Sequence, residues 1–451
     1  LVPIIRALPG PALVSSIEPG IFDKTVLARR FRRPSVRWRW LSRLARRWLT
    51  VREFPVAVVD FSASDRRYAA GYPPVRWSPI LGCADYPVAY RRALALIAGT
   101  DRAAHRGGGA DNDQFFRDSA AEVLAAWLHA ADLAGKDLDE LLNWLRRPDD
   151  PTGARILRDE HRAEPSAAVN LGRHLDPAAA RTTSGVLRYL TLALNAVATT
   201  EGRALCGRRG EAQFDMAGLI QAQGTVYVLA DTSRIERSRP LLSLFAAEMF
   251  LAAETAALHS RKRRLPVPFI AVLDELRYGI AVPNLPYVAS AQRKYGIGYV
   301  YSVQTASQED TVYGPDAPAL RAAAGVSIIG GIDIDSAREL SDRAGRTPVV
   351  TPTRGARSHQ ESLQVYDTLT VADQQQLGDG HAVVIARGLA PFLAQVPSLH
   401  DHRATARAIA RETAIVARDV AGARNRDRAT HTDHTTAAAA GMQTTPPGET
   451  S

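Results

Sequence analysis

Pro268-Phe269-Ile270-Ala271-Val272-Leu273-Asp274-Glu275 is the stretch that decides the fold. Phe269 to Leu273 is apolar at every position and has the length of one strand, so both faces of that strand are buried. Strands of that kind belong to parallel sheets covered by helices, whose ligands bind beyond the carboxyl ends. Two adjacent carboxylates, Asp274 and Glu275, stand at that end. This is the pattern of a Walker B strand, in which Asp274 holds the water shell of a Mg²⁺ ion and Glu275 polarises the water that attacks a γ-phosphate. Ordinary strands also leave a sheet through Asp-Glu, so the surrounding sequence must decide.

Working outward, apolar runs bounded by turn signals recur at Pro11 to Ile17, Pro55 to Phe61, Thr225 to Ala230, Gly298 to Val303, Val326 to Gly330 and Ala382 to Ala386. Helix-like segments separate most of them, which predicts an α/β fold with a mostly parallel sheet. The block from Asp111 to Cys206 is different. Phe115, Ala120, Val123, Leu124, Trp127 and Leu128 fall at helical spacings there, and no strand pattern interrupts them. An inserted all-α subdomain is expected, entered through the flexible joint Gly107-Gly108-Gly109.

After the Walker B strand come Val282-Pro283-Asn284-Leu285-Pro286, Arg293, Gly296-Ile297 and Gln304-Thr305-Ala306-Ser307-Gln308. In that order these elements resemble the type IV coupling proteins, the TraG/TraD-like motor ATPases of conjugation and type IV secretion. Arg76-Trp77-Ser78-Pro79-Ile80, Phe115-Phe116-Arg117-Asp118 and the stretch 366–391 resemble further family segments, so the likeness covers roughly residues 1 to 400. It implies a RecA-like P-loop NTPase sheet with an inserted all-α domain, ATP and Mg²⁺ as cofactors, and a hexameric ring. It also implies DNA or protein cargo, delivered through a relaxase complex to a type IV secretion channel on the cytoplasmic side of the bacterial membrane. By the same resemblance Arg293 reaches the ATP of a neighbouring subunit, and Gln304 reports the γ-phosphate and orients the attacking water. Their plain alternatives are a surface arginine at a helix end and a strand-terminal glutamine capping a loop.

One expected element is missing. A P-loop, G-x-x-x-x-G-K-[ST], cradles the phosphates with backbone amides and a lysine, and none of the four lysines, Lys24, Lys136, Lys262 and Lys294, completes it. Gly135-Lys136 is followed by Asp137 and reads as a helix stop. The chain opens on Leu1, and its first residues resemble the helix and strand that follow the family's P-loop. The expectation is a fragment starting just after Walker A: soluble, inactive alone, and derived from an ATPase anchored by membrane helices further upstream. The expected domains are residues 1–106 and 211–400 for the two parts of the nucleotide-binding domain, 107–210 for the helical insertion, and 401–451 for an Ala/Arg-rich helix and disordered tail. In Ser16-Ile17-Glu18-Pro19-Gly20 the family's basic and aspartate positions after the second strand are replaced, which leaves phosphate-side contacts there in doubt.

Composition narrows the class. The 451 residues are 46% hydrophobic, enough for an ordinary core, and a net charge of +9 favours an anionic partner. The two cysteines, Cys83 and Cys206, form neither a zinc pattern nor a disulfide framework. No eighteen-residue window is free of charge, the best candidate from Pro240 carrying Glu248 and Glu254. Between Phe31 and Arg52, Trp40, Leu41, Leu44 and Trp48 line one helical face and Arg39, Arg43, Arg46 and Arg47 the rest. That pattern suits an amphipathic helix on a membrane, on nucleic acid, on another subunit, or packed on the domain with its arginines solvated. Two rival functions remain: an FtsK-like DNA translocase, and a non-catalytic docking or ring-assembly subunit that has lost its P-loop.

Overall fold

The computed structural model describes residues 1–33, 51–62, 68–100, 110–283, 285–330, 334–355 and 358–441. The chain divides into two compact units, Leu1–Leu285 with Ala291–Ser302 and Ile409–Ser451, and Pro286–Ser290 with Val303–Ala408.

The first unit is built on β1 (Ala12–Ser16), β4 (Val56–Phe61), β5 (Thr225–Ala230), β6 (Phe269–Leu273) and β7 (Ile297–Tyr301), in the order β4-β5-β1-β6-β7. Every pairing is parallel. β1, β4 and β5 are buried at all positions, which is why each reads as a mostly apolar run, with Ser15, Ser16, Asp60 and Thr225 the buried polar exceptions. β7 is only partly buried after Ile297 and, among the described residues, has a neighbour on one side alone. It also stops at Tyr301, short of the expected Val303: Ser302 N–H still donates to Leu273 O of β6, and Val303 opens the second unit.

On one face of the sheet Phe22 is fully buried and meets Tyr68, Tyr72 and Tyr227 edge-on, with ring centroids 5.1 to 5.9 Å apart. Val416, from the long C-terminal helix Arg403–Gly441, closes the same cluster. Ile409, Val416 and Ala423 are buried at seven-residue spacing, and Glu412 takes both guanidinium ends of Arg6 at 2.6 and 3.0 Å. A disordered tail beyond Ala421 was expected, but the helix runs on through His431 and His434 to Gly441, as an alanine-rich sequence favours. Residues 442–451 lie outside the described residues.

Between β4 and β5 the described residues are helical, with no strand. In the helix Ala110–Leu133 the face Ala120, Val123, Leu124, Trp127 and Leu128 is buried as its spacing predicts. Phe115 is the exception, being 51% exposed. Its neighbour Phe116 lies instead against Gly185 of the helix Ala180–Leu194, leaving no room for a Cβ there. Gly135 has φ +68° just past the helix and Lys136 N–H closes it on Ala131 O, so this glycine-lysine pair is a helix stop.

The helical block and the sheet form one unit, contrary to the expected boundaries at 107 and 210. The joint is a buried polar cluster. Arg92, on the helix Tyr86–Ala98, donates to Glu248 Oε2 at 2.9 Å from Nη2 and 3.2 Å from Nε, and to Pro79 O and Leu81 O at 3.0 and 2.6 Å. Glu248 sits on the helix Ile235–Leu258, which is long and apolar enough by length and composition to cross a membrane but is mostly buried here. Trp77 packs edge-on to Phe245 at 5.8 Å, so the Arg76 to Ile80 loop that resembles a family motif serves packing.

The expected 211–400 domain also breaks, at Val303, because the strands beyond it pair with each other and not with the parallel sheet. β8 (Val326–Ile329), β11 (His381–Ala386) and β12 (Phe392–Gln395) form an antiparallel sheet in the order β12-β11-β8. β9 (Arg346–Gly355) and β10 (Ser358–Asp367) form a ribbon that no apolar run announced, since Pro348, Pro352 and many polar residues interrupt it. The amphipathic helix expected over Phe31 to Arg52 is replaced at its ends by β2 (Phe31–Arg32) paired antiparallel with β3 (Arg52–Glu53). Residues 34–50, with the four arginines and both tryptophans singled out there, lie outside the described residues, as do Gly107-Gly108-Gly109.

Both cysteines are fully buried. Burial pushes the Cys83 thiol up to about 12 against the opposing charge of Arg92, and pushes Cys206 up as well. Both are therefore protonated at pH 8. Neither is expected to react with a disulfide reagent in the native protein, and both should react in denaturant; rapid labelling of the native chain would contradict this burial.

Candidate functional site

Register assembles the site. Leu273 lies between Ser15 on β1 and Tyr301 on β7, so the next residue of each chain segment meets at the carboxyl end of the sheet: Ser16, Asp274 and Ser302. Asp274 Oδ2 is 3.0 Å from Ser16 Oγ and its Oδ1 is 3.0 Å from Ser302 Oγ. Each serine oxygen in turn accepts a backbone N–H, from Glu18 at 2.9 Å and from Glu275 at 3.0 Å. With those lone pairs engaged, the hydroxyl protons go to the carboxylate, a stronger acceptor than the Glu18 carbonyl also 3.0 Å from Ser16 Oγ. Asp274 N–H donates to Ser15 O at 3.0 Å, fixing its backbone too. A carboxylate has about four acceptor sites, so two of them remain for water or a ligand.

Glu275 follows in a left-handed backbone conformation, φ +51°, uncommon for a residue with a side chain. Its carbonyl accepts N–H bonds from Tyr278 at 2.9 Å and Gly279 at 2.5 Å, closing a tight turn. A Cβ at Gly279 would stand 2.6 Å from Asp274 O and 2.9 Å from Glu275 O, so the turn requires glycine. Asp274 and Glu275 are both half-buried.

Of the other two residues expected in the site, Arg293 stands at the opposite end of β7 from Asp274. Arg293 is exposed, on the turn Gln292–Tyr295 at the amino end of β7, with its carbonyl held by Arg264 Nη1 at 3.2 Å. A five-residue strand separates it from the carboxylate end, about 16 Å at about 3.3 Å per residue. Gln304 belongs to the second unit. It is exposed in a bend before the helix Ala306–Tyr313, and its N–H donates to Gln308 Oε1 at 2.9 Å, so it does not terminate a strand.

Ser16 and Ser302 went unrecognised from sequence. The signal was there: once β1, β6 and β7 are taken as neighbours, each serine is the residue after the one that pairs with Leu273. The replaced stretch after β1, a source of doubt, supplies Ser16 as a support for Asp274.

Among the described residues no three His, Cys, Asp or Glu side chains gather to hold a metal. One carboxylate among hydroxyls instead fits Mg²⁺, which keeps several waters and takes its other ligands from phosphate. Ser16, Asp274 and Ser302 thus fit a Mg²⁺ ion held through its waters.

Residues 268–377 match the family model described as the TraM recognition site of TraD and TraG. No curated protein sequence matches the chain. Among solved structures, the unbound conjugative coupling protein TrwBdeltaN70 aligns over 87% of this chain and 85% of its own, at 15% identity and TM-score 0.56. TrwB in complex with ADP and Mg²⁺ aligns over 87% and 86%, at 16% identity and TM-score 0.54. TrwB with a non-hydrolysable ATP analogue aligns over 87% and 85%, at 16% identity and TM-score 0.54. The parallel sheet with its helical insertion therefore has the RecA-like P-loop NTPase fold of those proteins, and the segment 268–377 is similar to TraD and TraG.

Proposed function

We propose that this chain is part of the motor of a conjugative coupling protein, in which nucleotide hydrolysis drives DNA or protein cargo toward a secretion channel. The observation that carries the reading is Asp274, fixed between Ser16 and Ser302 at the carboxyl end of a buried parallel strand with Glu275 beside it. When bound, Mg²⁺ neutralises phosphate charge. Asp274 would hold that ion's waters, with both serine hydroxyls keeping its carboxylate from rotating. Glu275 accepts the proton of the attacking water.

The 451 residues contain no G-x-x-x-x-G-K-[ST]. In this reading a phosphate loop completes the site, and the side of β7 away from β6, which has no neighbouring strand among the described residues, is where a strand carrying one would join. TrwB binds ADP with Mg²⁺, and ATP and Mg²⁺ are the ligands proposed here. Arg293, at the far end of β7 from its own Asp274, acts in this reading on the nucleotide of a neighbouring copy, which implies a ring, hexameric as the resemblance has it. The name of the matched segment points to a TraM-type partner within a relaxase complex. Residence on the cytoplasmic side of the membrane follows from the same reading.

A second reading, a docking subunit without catalysis, draws on the absent phosphate loop. One experiment separates the two. A Walker A strand and loop is linked to the chain, ring assembly is verified, and binding and hydrolysis of ATP are measured with and without Mg²⁺. The motor reading expects Mg²⁺-dependent binding and hydrolysis, lost on Asp274→Ala. Assembled rings that bind no ATP would favour the docking subunit.

A further inference from the structure

The helix Ile235–Leu258 passes beside the turn that carries Glu275. Arg239, near its start, is 5% exposed, and its guanidinium donates from Nε to Gly279 O at 3.2 Å and from Nη2 to Tyr278 O at 3.4 Å. Burying a guanidinium is costly unless hydrogen bonds compensate, and here two backbone carbonyls of a single turn provide them. Burial lowers the Arg239 pKa from its ordinary value, with Glu236 opposing.

The position of those carbonyls matters. The peptide joining Tyr278 to Gly279 is gripped at both ends, its N–H by Glu275 O and its C=O by Arg239. The next carbonyl, Gly279 O, is gripped by the same guanidinium. A turn whose first residue sits at φ +51° persists only where its surroundings over-determine it. Serine bonds hold one side of Glu275, since its N–H goes to Ser302 Oγ, and Arg239 holds the other. Further along the same helix, Glu248 is pinned by Arg92, so the helix that aims Arg239 is itself fixed.

We propose that Arg239 is a positioning residue for Glu275: by clamping the Tyr278 and Gly279 carbonyls it locks the left-handed turn that sets where the Glu275 carboxylate stands. This rests on the motor reading for its purpose, though not for its geometry. Arg239 touches no substrate in this scheme and acts through the turn alone.

Hydrogen exchange tests it in the 451-residue chain. In Arg239→Met the amides of Tyr278 and Gly279 should exchange about tenfold faster or more, while those of β1 and β5 keep their protection. Arg239→Lys, which keeps the charge and one donor direction, should fall between the two and guards against a Met variant that fails to fold. Uniform acceleration across the first unit in both variants would make Arg239 a structural residue only. Unchanged exchange at Tyr278 and Gly279 would overturn the clamp outright. In rings completed with a phosphate loop, Arg239→Met should lower kcat with nucleotide affinity kept. Localised exchange together with turnover indifferent to Glu275→Gln would leave the clamp standing and remove the motor reading.

Discussion

Glu275→Gln, in rings completed with a phosphate loop, should lower ATP turnover by about 100-fold or more, the scale of a lost general base. The amide keeps the shape of the side chain and leaves the backbone bonds of the turn in place, from Glu275 N–H to Ser302 Oγ and from Tyr278 and Gly279 N–H to Glu275 O. Nucleotide affinity should therefore change by no more than about twofold, which is the signature of an interaction made only in the transition state. Asp274→Ala should differ in kind, since it removes the residue proposed for the Mg²⁺ waters and should abolish the Mg²⁺ dependence of binding. Stopped-flow binding with steady-state turnover separates the two. Equal loss of affinity and turnover in Glu275→Gln would show that the roles of the two carboxylates are wrongly divided.

The second large effect concerns stability. Glu248→Ala leaves Arg92 buried with its carbonyl partners but without its counter-charge, and breaking one side of a buried pair costs about 3–5 kcal/mol. The denaturation midpoint should fall accordingly, and the helical block and sheet should separate more readily. Replacing both partners by Met should recover much of the loss, since a well-packed apolar pair can match a buried ion pair. A Glu248→Ala midpoint within error of the parent would mean that water reaches Arg92 and that the pair carries no weight.

The parallel sheet was legible because strands buried on both faces leave mostly apolar runs, and Phe269 to Leu273 marked the strand that leads to the candidate site. Asp274 and Glu275 were singled out from the end of that strand together with the segments that follow it. Ser16 and Ser302 were not, since their role depends on which strands are neighbours, and strand order is a property of the whole chain. The ribbon of β9 and β10 escaped notice for another reason: its exposed residues, Leu363 and Val365 among them, bury little, so periodicity carried no signal. The end of β7 was read two residues late, at Val303 and not Tyr301, because a run of mixed polarity gave no clear stop.

The position of β1 bears on the order in which the molecule comes together. Ala12 pairs with Thr225 on one side and Ile270 on the other, so β1 has neither of these partners until the entire helical block has been made. Contacts that distant are entropically expensive to close and form slowly, whereas the helical block is rich in local contacts. Helices should acquire structure first, and the central sheet should condense around β1 last. Until it does, the apolar face of β1 is exposed on the nascent chain, which makes this the stage at which a chaperone would matter most.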